Sequence, residues 1–238
     1  MSVMMPAYNE EATLAQAIKR VLERPEVGEL IVVDDASTDR TWQILTEVSA
    51  LEPRIKAFRQ PYNQGKGAAV RRAIKELHCP FAIVQDADLE VDPAQYEALL
   101  EPLLQGRADA VFGSRTFRVT NLQSLIHTIG NRGLTLATNL MFWGRVEDME
   151  TCYKLLPSQL WRSLPLRAMR FEFEPEVTAL LLRRRRKIIN VTIRYDRRTS
   201  AEGKKIGMSD GWEALAYLFR LRFSREHERT PDESKDRP

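Results

Sequence analysis

The sequence predicts an α/β domain whose mainly parallel sheet is covered by helices on both faces. Two observations support this prediction. Short apolar segments alternate with amphipathic ones through the first two-thirds of the 238 residues, which is the pattern of parallel strands joined by crossover helices. Acidic clusters directly follow three of the apolar segments. In open α/β sheets ligands bind beyond the carboxyl ends of the strands, so these clusters mark the expected site.

Five strands are predicted in the first half of the chain, at residues 2–5, 29–33, 55–58, 81–85 and 110–112. Helices are expected between them. The segment 11–23 repeats apolar side chains at Leu14, Ile18 and Val21, which is helical spacing. The next three helices are expected to begin at cap or turn residues: Ser37 to Asp39, Gly65-Lys66-Gly67 and Asp92-Pro93.

The pattern is less regular after residue 115. Helices are predicted at 122–141, 175–182 and 210–223, and strand-like segments at 151–156 and 188–195. Residues 224–238 are highly charged and poor in apolar side chains, so a disordered tail is expected. The sequence therefore predicts one domain over residues 1–223, with parts at 1–115 and 116–223 and a tail at 224–238.

Charge is nearly balanced over the whole chain, with 36 basic and 33 acidic residues, but not locally. Residues 183–205 hold ten Lys or Arg and only two acids, which predicts an anionic partner such as phosphates or a lipid surface. Nucleic acid is disfavoured because aromatic residues are sparse there. No signal peptide and no apolar run of about 20 residues is visible. The sequence thus favours a cytoplasmic protein, soluble or peripheral on a membrane.

The triplet Asp86-Ala87-Asp88 follows the apolar run 81–84 and provides the main candidate ligands for a metal ion. Two carboxylates spaced two apart can share one divalent cation, and oxygen ligands suit Mg²⁺ or Mn²⁺. Glu90 could supply a further oxygen. The alternative is a solvated acidic turn before a helix. The clusters after the first two strands favour the metal interpretation.

Residues after the first and second strands are candidates for a nucleotide pocket. Tyr8 could pack on a base, and Asp35 could accept hydrogen bonds from one. Asn9 is equally compatible with an N-cap role. Lys66 is a candidate phosphate contact, although a Walker motif is absent and a plain helix start is as compatible with the sequence.

Arg115 ends the fifth strand, where an arginine could clamp a phosphate. Asp148 could lie near the reaction centre or simply in a turn. In the basic segment, residues 183–186 end a helix, where cations complement the helix dipole. The better candidates for phosphate contacts lie in the following glycine-containing loop: Arg197, Arg198, Lys204 and Lys205.

Six short motifs of this chain resemble those of the family 2 glycosyltransferases of the GT-A fold. Within that family, the chain is most similar to the polyprenyl-phosphate mannosyl- and glucosyltransferases. In chain order the motifs are PAYNE, VVDDASTD, NQGKGAA, DADLE, GSR and RTSAEGKKIG. The resemblance implies a GT-A, Rossmann-like fold, with residues 1–115 binding the nucleotide and 116–223 the acceptor. This chain departs from the family pattern at Glu90, where mannose synthases usually carry Gln, and at Thr151-Cys152-Tyr153-Lys154, where the family often has Ser-Gly-Phe and a basic residue.

The resemblance also implies roles for individual residues. The residues that it implies bind the nucleotide sugar are Pro6, Tyr8, Glu10, Val33, Asp35, Lys66, Asp86, Ala87, Asp88, Arg115, Arg198 and Lys205. The residues expected to bind the metal ion are Asp86, Asp88 and Glu90. The residues expected to act in catalysis are Asp88, Arg115, Lys205 and Asp148.

The function expected from this resemblance is inverting transfer of a hexose from GDP-mannose or UDP-glucose to a polyprenyl phosphate. One alternative is transfer to a glycan or small-molecule hydroxyl, which would require a general base, with Asp148 as the candidate. Another is a non-catalytic nucleotide-sugar-binding protein. A lipid acceptor also implies a membrane surface or a membrane-protein partner. The stripe Trp212, Leu215, Phe219 and Phe223 predicts an interfacial helix or one packed on the core.

Overall fold

The computed structural model describes residues 1–116, 122–196 and 208–223, with only the backbone described for 122–124, 127 and 208–214. The described strands are β1 Ser2–Ala7, β2 Glu29–Asp34, β3 Ile55–Arg59, β4 Phe81–Val84, β5 Ala110–Arg115, β6 Lys154–Pro157 and β7 Ile188–Ile193. The described helices are α1 Leu14–Leu22, α2 Thr41–Ser49, α3 Lys66–Ile74, α4 Tyr96–Leu104, α5 Leu122–Phe142, α6 Ser158–Ser163, α7 Phe173–Arg183 and α8 Met208–Phe223. A 3₁₀ turn, Pro93–Gln95, precedes α4.

One seven-stranded sheet runs in the order β3-β2-β1-β4-β6-β5-β7. The pairings are parallel except those of β6, which is antiparallel to both β4 and β5. Two clusters of buried apolar side chains cover the sheet, as expected for a sheet with helices on both faces. The predicted α/β fold is confirmed. Because β6 and β7 pair with strands of the first half, residues 1–115 and 116–196 share one sheet.

Several element boundaries differ from the predicted ones because long-range bonds set them. Strand β5 continues to Arg115 because it pairs with β7 along its whole length. Helix α1 begins only at Leu14, after a turn in which the carbonyl of Glu10 accepts from the Leu14 N–H. Of the three predicted caps of α2, only Asp39 acts there, accepting from the Thr41 N–H at 2.9 Å.

Asn9 does not cap α1 as the sequence suggested. Its backbone lies in the left-handed region, with φ 53°. Its side-chain oxygen accepts from the main-chain N–H of Thr38 at 2.8 Å, and its own N–H donates to Ser37 Oγ at 2.9 Å. These bonds tie the loop after β1 to the loop after β2.

Helix α8 packs against α5 and α7, and its Leu218 and Leu221 are buried. Of the predicted stripe, Phe219 and Phe223 are exposed and Leu215 is half-buried. The side chain of Trp212 lies outside the described residues. The predicted tail at 224–238 also lies outside them. Within the described chain, no helix has the length and apolar character needed to cross a bilayer.

Glu29 is a buried carboxylate that joins β1, β2 and the segment before β4. It accepts from Ser2, Lys56 and the main-chain N–H of His78. Burial alone would raise the pKa of Glu29, but these hydrogen bonds together lower it to about 2. The ionised form is therefore the one that stabilises the fold.

Replacing Glu29 by Gln should lower the free energy of unfolding by about 2 kcal/mol near neutral pH. Because the pKa is depressed in the folded state, this contribution is present above about pH 4.5 and is lost as pH falls toward 2. Urea unfolding at pH 7 and pH 3 should show the difference from wild type shrinking by more than half. Glu23→Gln, which removes an exposed partner of Lys19, is the matched control and should change little. An equal loss at both pH values would contradict this account.

Candidate active site

The predicted acidic clusters meet at one edge of the sheet because β2, β1 and β4 are parallel neighbours. The main-chain N–H of Asp35 donates to the carbonyl of Ala7 at 2.8 Å, and that of Gln85 donates to Met4 at 3.0 Å. Residues just beyond the three strands are thus adjacent, at the edge where ligands bind in such folds. Tyr8 and Glu10 are half-buried after β1, and Pro6 lies within β1 opposite Val33.

A buried polar network of Gln85, Tyr96 and Tyr153 holds the segment Asp86-Ala87-Asp88 in place. The side-chain oxygen of Gln85 accepts from the hydroxyls of Tyr96 at 2.7 Å and Tyr153 at 2.6 Å. The side-chain amide of Gln85 donates to the carbonyl of Asp86 at 3.0 Å. Ala87 is buried, while Asp86 and Asp88 are half-buried. The network fixes the backbone that presents both carboxylates.

Lys66 is placed at this edge by two glycines. A Cβ at Gly65 would lie 2.5 Å from the carbonyl of Met169, and one at Gly67 would lie 2.6 Å from that of Ala168. Because neither position has room for a larger residue, the start of α3 can pack directly against residues 168–170. This close packing explains why glycines flank Lys66 in a sequence that has no Walker motif.

The ammonium of Lys66 lies between two carboxylates. It donates to Asp86 at 2.8 Å and lies 2.7 Å from Glu174 Oε1, an ionic contact without hydrogen-bond geometry. Burial alone would lower the pKa of Lys66, but Asp86 and Glu174 raise it well above its usual value, so the side chain stays charged. Sequence reasoning missed Glu174. Glu174 lies just before the helix predicted at 175–182, between Glu172 and Glu176, and nothing local distinguishes it from these two acids.

Two residues predicted to bind the nucleotide base have structural roles here. The Val33 side chain is fully buried in the core, so only its main chain could meet a ligand. The carboxylate of Asp35 accepts from the main-chain N–H groups of Gln64 at 2.8 Å and Gly65 at 2.7 Å. Asp35 therefore anchors the loop that carries Lys66.

The assignment of Asp86, Asp88 and Glu90 as metal ligands stays a prediction. Within the described residues, no three His, Cys, Asp or Glu side chains are arranged to hold a metal ion. The carboxylate of Glu90 accepts from the hydroxyl of Tyr195 at 2.7 Å. Asp86 and Asp88 remain, and two carboxylates fit Mg²⁺ or Mn²⁺ when phosphates and waters complete the shell.

Arg115 and Asp148 form a buried, two-point ion pair. Arg115 Nε lies 2.6 Å from Asp148 Oδ2, and Nη2 lies 2.9 Å from Oδ1. Asn131 of α5 also donates to Asp148, at 3.1 Å. Burial alone would raise the pKa of Asp148, but the Arg115 charge and these bonds lower it, so the carboxylate stays ionised. The structure brings together two residues that were predicted separately.

A second acid, half-buried, lies beside this pair. Burial and the neighbouring charge of Glu174 raise the pKa of Glu150 to about 7. Its Oε1 is buried and accepts no hydrogen bond within the described part of the chain. Burial also lowers the pKa of Lys154, whose ammonium donates to the carbonyls of Met149 and Thr151. Sequence reasoning did not single out Glu150, since nothing local distinguishes it from the neighbouring acids Glu147 and Asp148.

The basic loop after β7 begins next to Arg115. The Arg115 guanidinium lies over the Tyr195 ring, 5.1 Å from its centroid. The predicted phosphate contacts Arg198 and Lys205, with Arg197 and Lys204, lie outside the described residues. The described residues before this segment end at Asp196, and the roles of Arg197, Arg198, Lys204 and Lys205 remain predictions.

Solved structures with a similar fold include glucosyl-3-phosphoglycerate synthase from Mycobacterium tuberculosis in complex with Mn²⁺, uridine diphosphate and glucosyl-3-phosphoglycerate. The two chains superpose with a TM-score of 0.69 at 23% identity, covering 98% of this chain and 81% of the other. At this identity the likeness supports the GT-A architecture.

Curated relatives cover most of the chain. A dolichyl-phosphate β-glucosyltransferase of Trichomonas vaginalis is 25% identical over 92% of this chain and 72% of its own length. A dolichol-phosphate mannosyltransferase of Pyrococcus furiosus is 26% identical over 92% of this chain. The chain spans 63% of that relative and 53% of a low-salt glycan biosynthesis hexosyltransferase of Haloferax volcanii.

The model of glycosyl transferase family 2 matches residues 2–159. That span contains β1 to β6, Asp86 and Asp88, and the Arg115–Asp148 pair. The strand-end clusters, the sheet order and the family match agree: this chain belongs to the family 2 glycosyltransferases.

Proposed function

We propose that this chain transfers a hexose from a nucleoside diphosphate sugar to a polyprenyl phosphate, with inversion at the anomeric carbon. The observation that carries the choice of acceptor is the state of Asp148. Both of its oxygens accept charge-assisted hydrogen bonds from Arg115, which makes it a poor general base. A phosphate acceptor is already ionised near neutral pH and needs no base. The names of the Trichomonas and Pyrococcus relatives support the same acceptor class.

On the donor side, Asp86 and Asp88 would hold Mg²⁺ or Mn²⁺ against the diphosphate. Such an ion neutralises charge on the departing nucleoside diphosphate. The ammonium of Lys66 lies 2.8 Å from the Asp86 carboxylate and adds a fixed positive charge at the same edge of the sheet. Tyr8 and Glu10 after β1 would contact the nucleotide. GDP-mannose and UDP-glucose are both compatible with these residues.

Arg115 would stabilise the negative charge that develops on the leaving nucleoside diphosphate in the transition state. Asp148 and Tyr195 hold its guanidinium in one place, and a preorganised cation needs no rearrangement during the reaction. Lys205 and Arg198, carried by the loop that starts beside Tyr195, would supply further charge over the phosphates. A membrane surface or a membrane-protein partner would present the lipid.

A hydroxyl acceptor is the second candidate function, and Glu150 is the observation that favours it. A carboxyl group whose pKa is about 7 is suited to act as a general base near neutral pH. This residue replaces Asp148 as the candidate base, because Asp148 is held by Arg115 and Asn131. A third interpretation, a non-catalytic nucleotide-sugar-binding protein, predicts binding of the donor without transfer.

Replacing Glu150 by Gln separates the two acceptor classes. Transfer from UDP-glucose or GDP-mannose to a short-chain polyprenyl phosphate should stay within about threefold of wild type, since no base is required. Loss of a required base would instead lower turnover by about a hundredfold or more. The measurement is radiolabelled hexose transfer with Mn²⁺, comparing the lipid phosphate with a panel of sugar hydroxyl acceptors. Transfer to a hydroxyl acceptor that is lost in Glu150→Gln would contradict the proposal.

The same variant has a stability control. Because the folded-state pKa of Glu150 is raised, the ionised form is disfavoured in the fold, and this penalty is fully present only above about pH 7. Glu150→Gln should therefore raise the melting temperature at pH 8 and leave it nearly unchanged near pH 4.5. A variant that melts lower at pH 8 has lost structure, and its activity would then not bear on the role of a base.

A further inference from the structure

Lys66 occupies the Asp86 carboxylate, the group to which the proposed function assigns the metal ion. Its ammonium lies 2.8 Å from each of the two carboxylate oxygens, Oδ1 and Oδ2. The Lys66 side chain is only 14% exposed, so the pair is largely shielded from water. A divalent ion that binds Asp86 must therefore take a position held by an ammonium, and two cations beside one carboxylate repel each other.

Glu174 offers the ammonium a second partner. Its Oε1 lies 2.7 Å from Lys66 Nζ, yet this oxygen is buried and accepts no hydrogen bond within the described residues. A buried acceptor without a hydrogen bond is uncommon in folded proteins. A rotation of the Lys66 side chain that turns its N–H groups from Asp86 toward Glu174 would satisfy this oxygen. Among the described acids, only these two lie within ion-pair distance of Lys66.

The backbones on both sides of this contact are held in place. The glycines that flank Lys66 let the start of α3 pack directly on residues 168–170. The start of α7 is fixed because Phe173 is buried and its ring stacks on that of Trp161, with 6.1 Å between the centroids. The ammonium itself is carried on a flexible stem. It can therefore exchange one carboxylate for the other without a change in the fold.

We propose that Lys66 is an internal counter-ion that holds the metal position on Asp86 until the donor binds, and that Glu174 is the positioning residue that receives its ammonium when Mg²⁺ or Mn²⁺ arrives. The exchange keeps the charges paired, because the divalent ion takes over Asp86 while the ammonium keeps Glu174. The positive charge of Lys66 stays at the same edge of the sheet. Without Glu174, the buried ammonium would have no second carboxylate and would compete with the ion for Asp86.

This inference rests on the metal role of Asp86 in the proposed function and adds a residue that the function does not use. Glu174 acts through Lys66, so the effect of replacing Glu174 should depend on whether Lys66 is present. A carboxylate that attracted the ion by its charge alone would act in either case. A double-variant cycle separates the two possibilities.

The test is Mn²⁺ binding to the full chain, measured by electron paramagnetic resonance of the free ion, with and without UDP or GDP. Protein-free nucleotide supplies the baseline. Glu174→Gln should raise the dissociation constant for Mn²⁺ about tenfold, because the ammonium then stays on Asp86. In the Lys66→Met background the same change should alter this constant by less than about threefold, because a buried carboxyl group without a cation takes up a proton.

Glu172→Gln is the matched control. It removes a charge from the same turn, and a Gln oxygen can still accept from the main-chain N–H groups of Met169 and Arg170. Its Mn²⁺ affinity should stay within about twofold of wild type. Hexose transfer by Glu174→Gln should return to within about threefold of wild type at saturating Mn²⁺, since only the affinity for the ion is lowered. Thermal unfolding checks that each variant is folded.

An equal loss of Mn²⁺ affinity on Glu174→Gln in the wild-type and Lys66→Met backgrounds would overturn this inference. If Lys66→Met does not fold, equal affinities of Glu174→Gln and Glu172→Gln would overturn it. The proposed function fails differently. A wild type that binds no Mn²⁺, or an Asp88→Asn variant that binds it equally well, would overturn the metal role itself and this inference with it. Weak binding by Asp88→Asn, with no effect of Glu174→Gln, would overturn only the role of Glu174.

Discussion

Replacing Asp88 by Asn should lower hexose transfer by about a thousandfold while leaving the fold intact. The expected loss equals the several kcal/mol of charge stabilisation that a bound divalent ion supplies. The fold should survive because Asp88 Oδ1 accepts from the main-chain N–H of Glu90 at 3.1 Å, and an Asn oxygen can accept the same bond. The change therefore removes charge rather than a structural contact.

The measurement is initial rate against Mn²⁺ concentration, with circular dichroism to check folding. Asp92→Asn is the matched control, because Asp92 caps the turn before α4 and Asn caps equally well. It should keep near-normal activity. Full activity of Asp88→Asn, or full activity of wild type in excess chelator, would show that no metal acts at Asp88.

Replacing Asp148 by Asn should destabilise the protein by about 3–5 kcal/mol, because it leaves the buried charge of Arg115 without its ionised partner. The Arg115 side chain is only 13% exposed and that of Asp148 only 2%. For a domain of this size the melting temperature should fall by roughly 10 °C. Transfer should fall as well, since the guanidinium would no longer be held in place.

Thermal unfolding provides the measurement, and the chain offers a matched control. Asp109→Asn removes one member of an exposed Asp–Arg pair, 3.7 Å apart, and should cost less than about 1 kcal/mol. A double variant, Arg115→Leu with Asp148→Leu, should be more stable than Asp148→Asn, because it leaves no unpaired charge. Equal effects of Asp148→Asn and Asp109→Asn would contradict the buried-pair account.

Patterns local in sequence predicted the fold and which strand-end residues lie together. Strand and helix periodicity identified the parallel sheet, and the acidic residues after β1, β2 and β4 meet at one edge of it, as expected. The triplet Asp86-Ala87-Asp88 lies where its position after an apolar run placed it. These predictions succeeded because each depends on residues within one strand and its following turn.

Pairings between distant segments could not be predicted. The hydroxyl of Tyr195 donates to Glu90 although the two residues are 105 positions apart. Glu174 joins Lys66 from a helix in the second half of the chain. The buried position of Thr135 in α5 also depends on context, since its hydroxyl accepts from the main-chain N–H of Met149, next to Asp148. Periodicity gives the spacing of a stripe but not the side of the helix that packs on the protein.

Transfer of a hexose to a polyprenyl phosphate can be tested by determining the structure of the reaction product. Incubation with Mn²⁺, UDP-glucose or GDP-mannose, and a short-chain polyprenyl phosphate should yield a lipid product for proton and phosphorus NMR. We expect a phosphodiester between the anomeric carbon and the lipid phosphate, with anomeric configuration opposite to that of the donor. A sugar joined through a hydroxyl, or a retained configuration, would contradict the account.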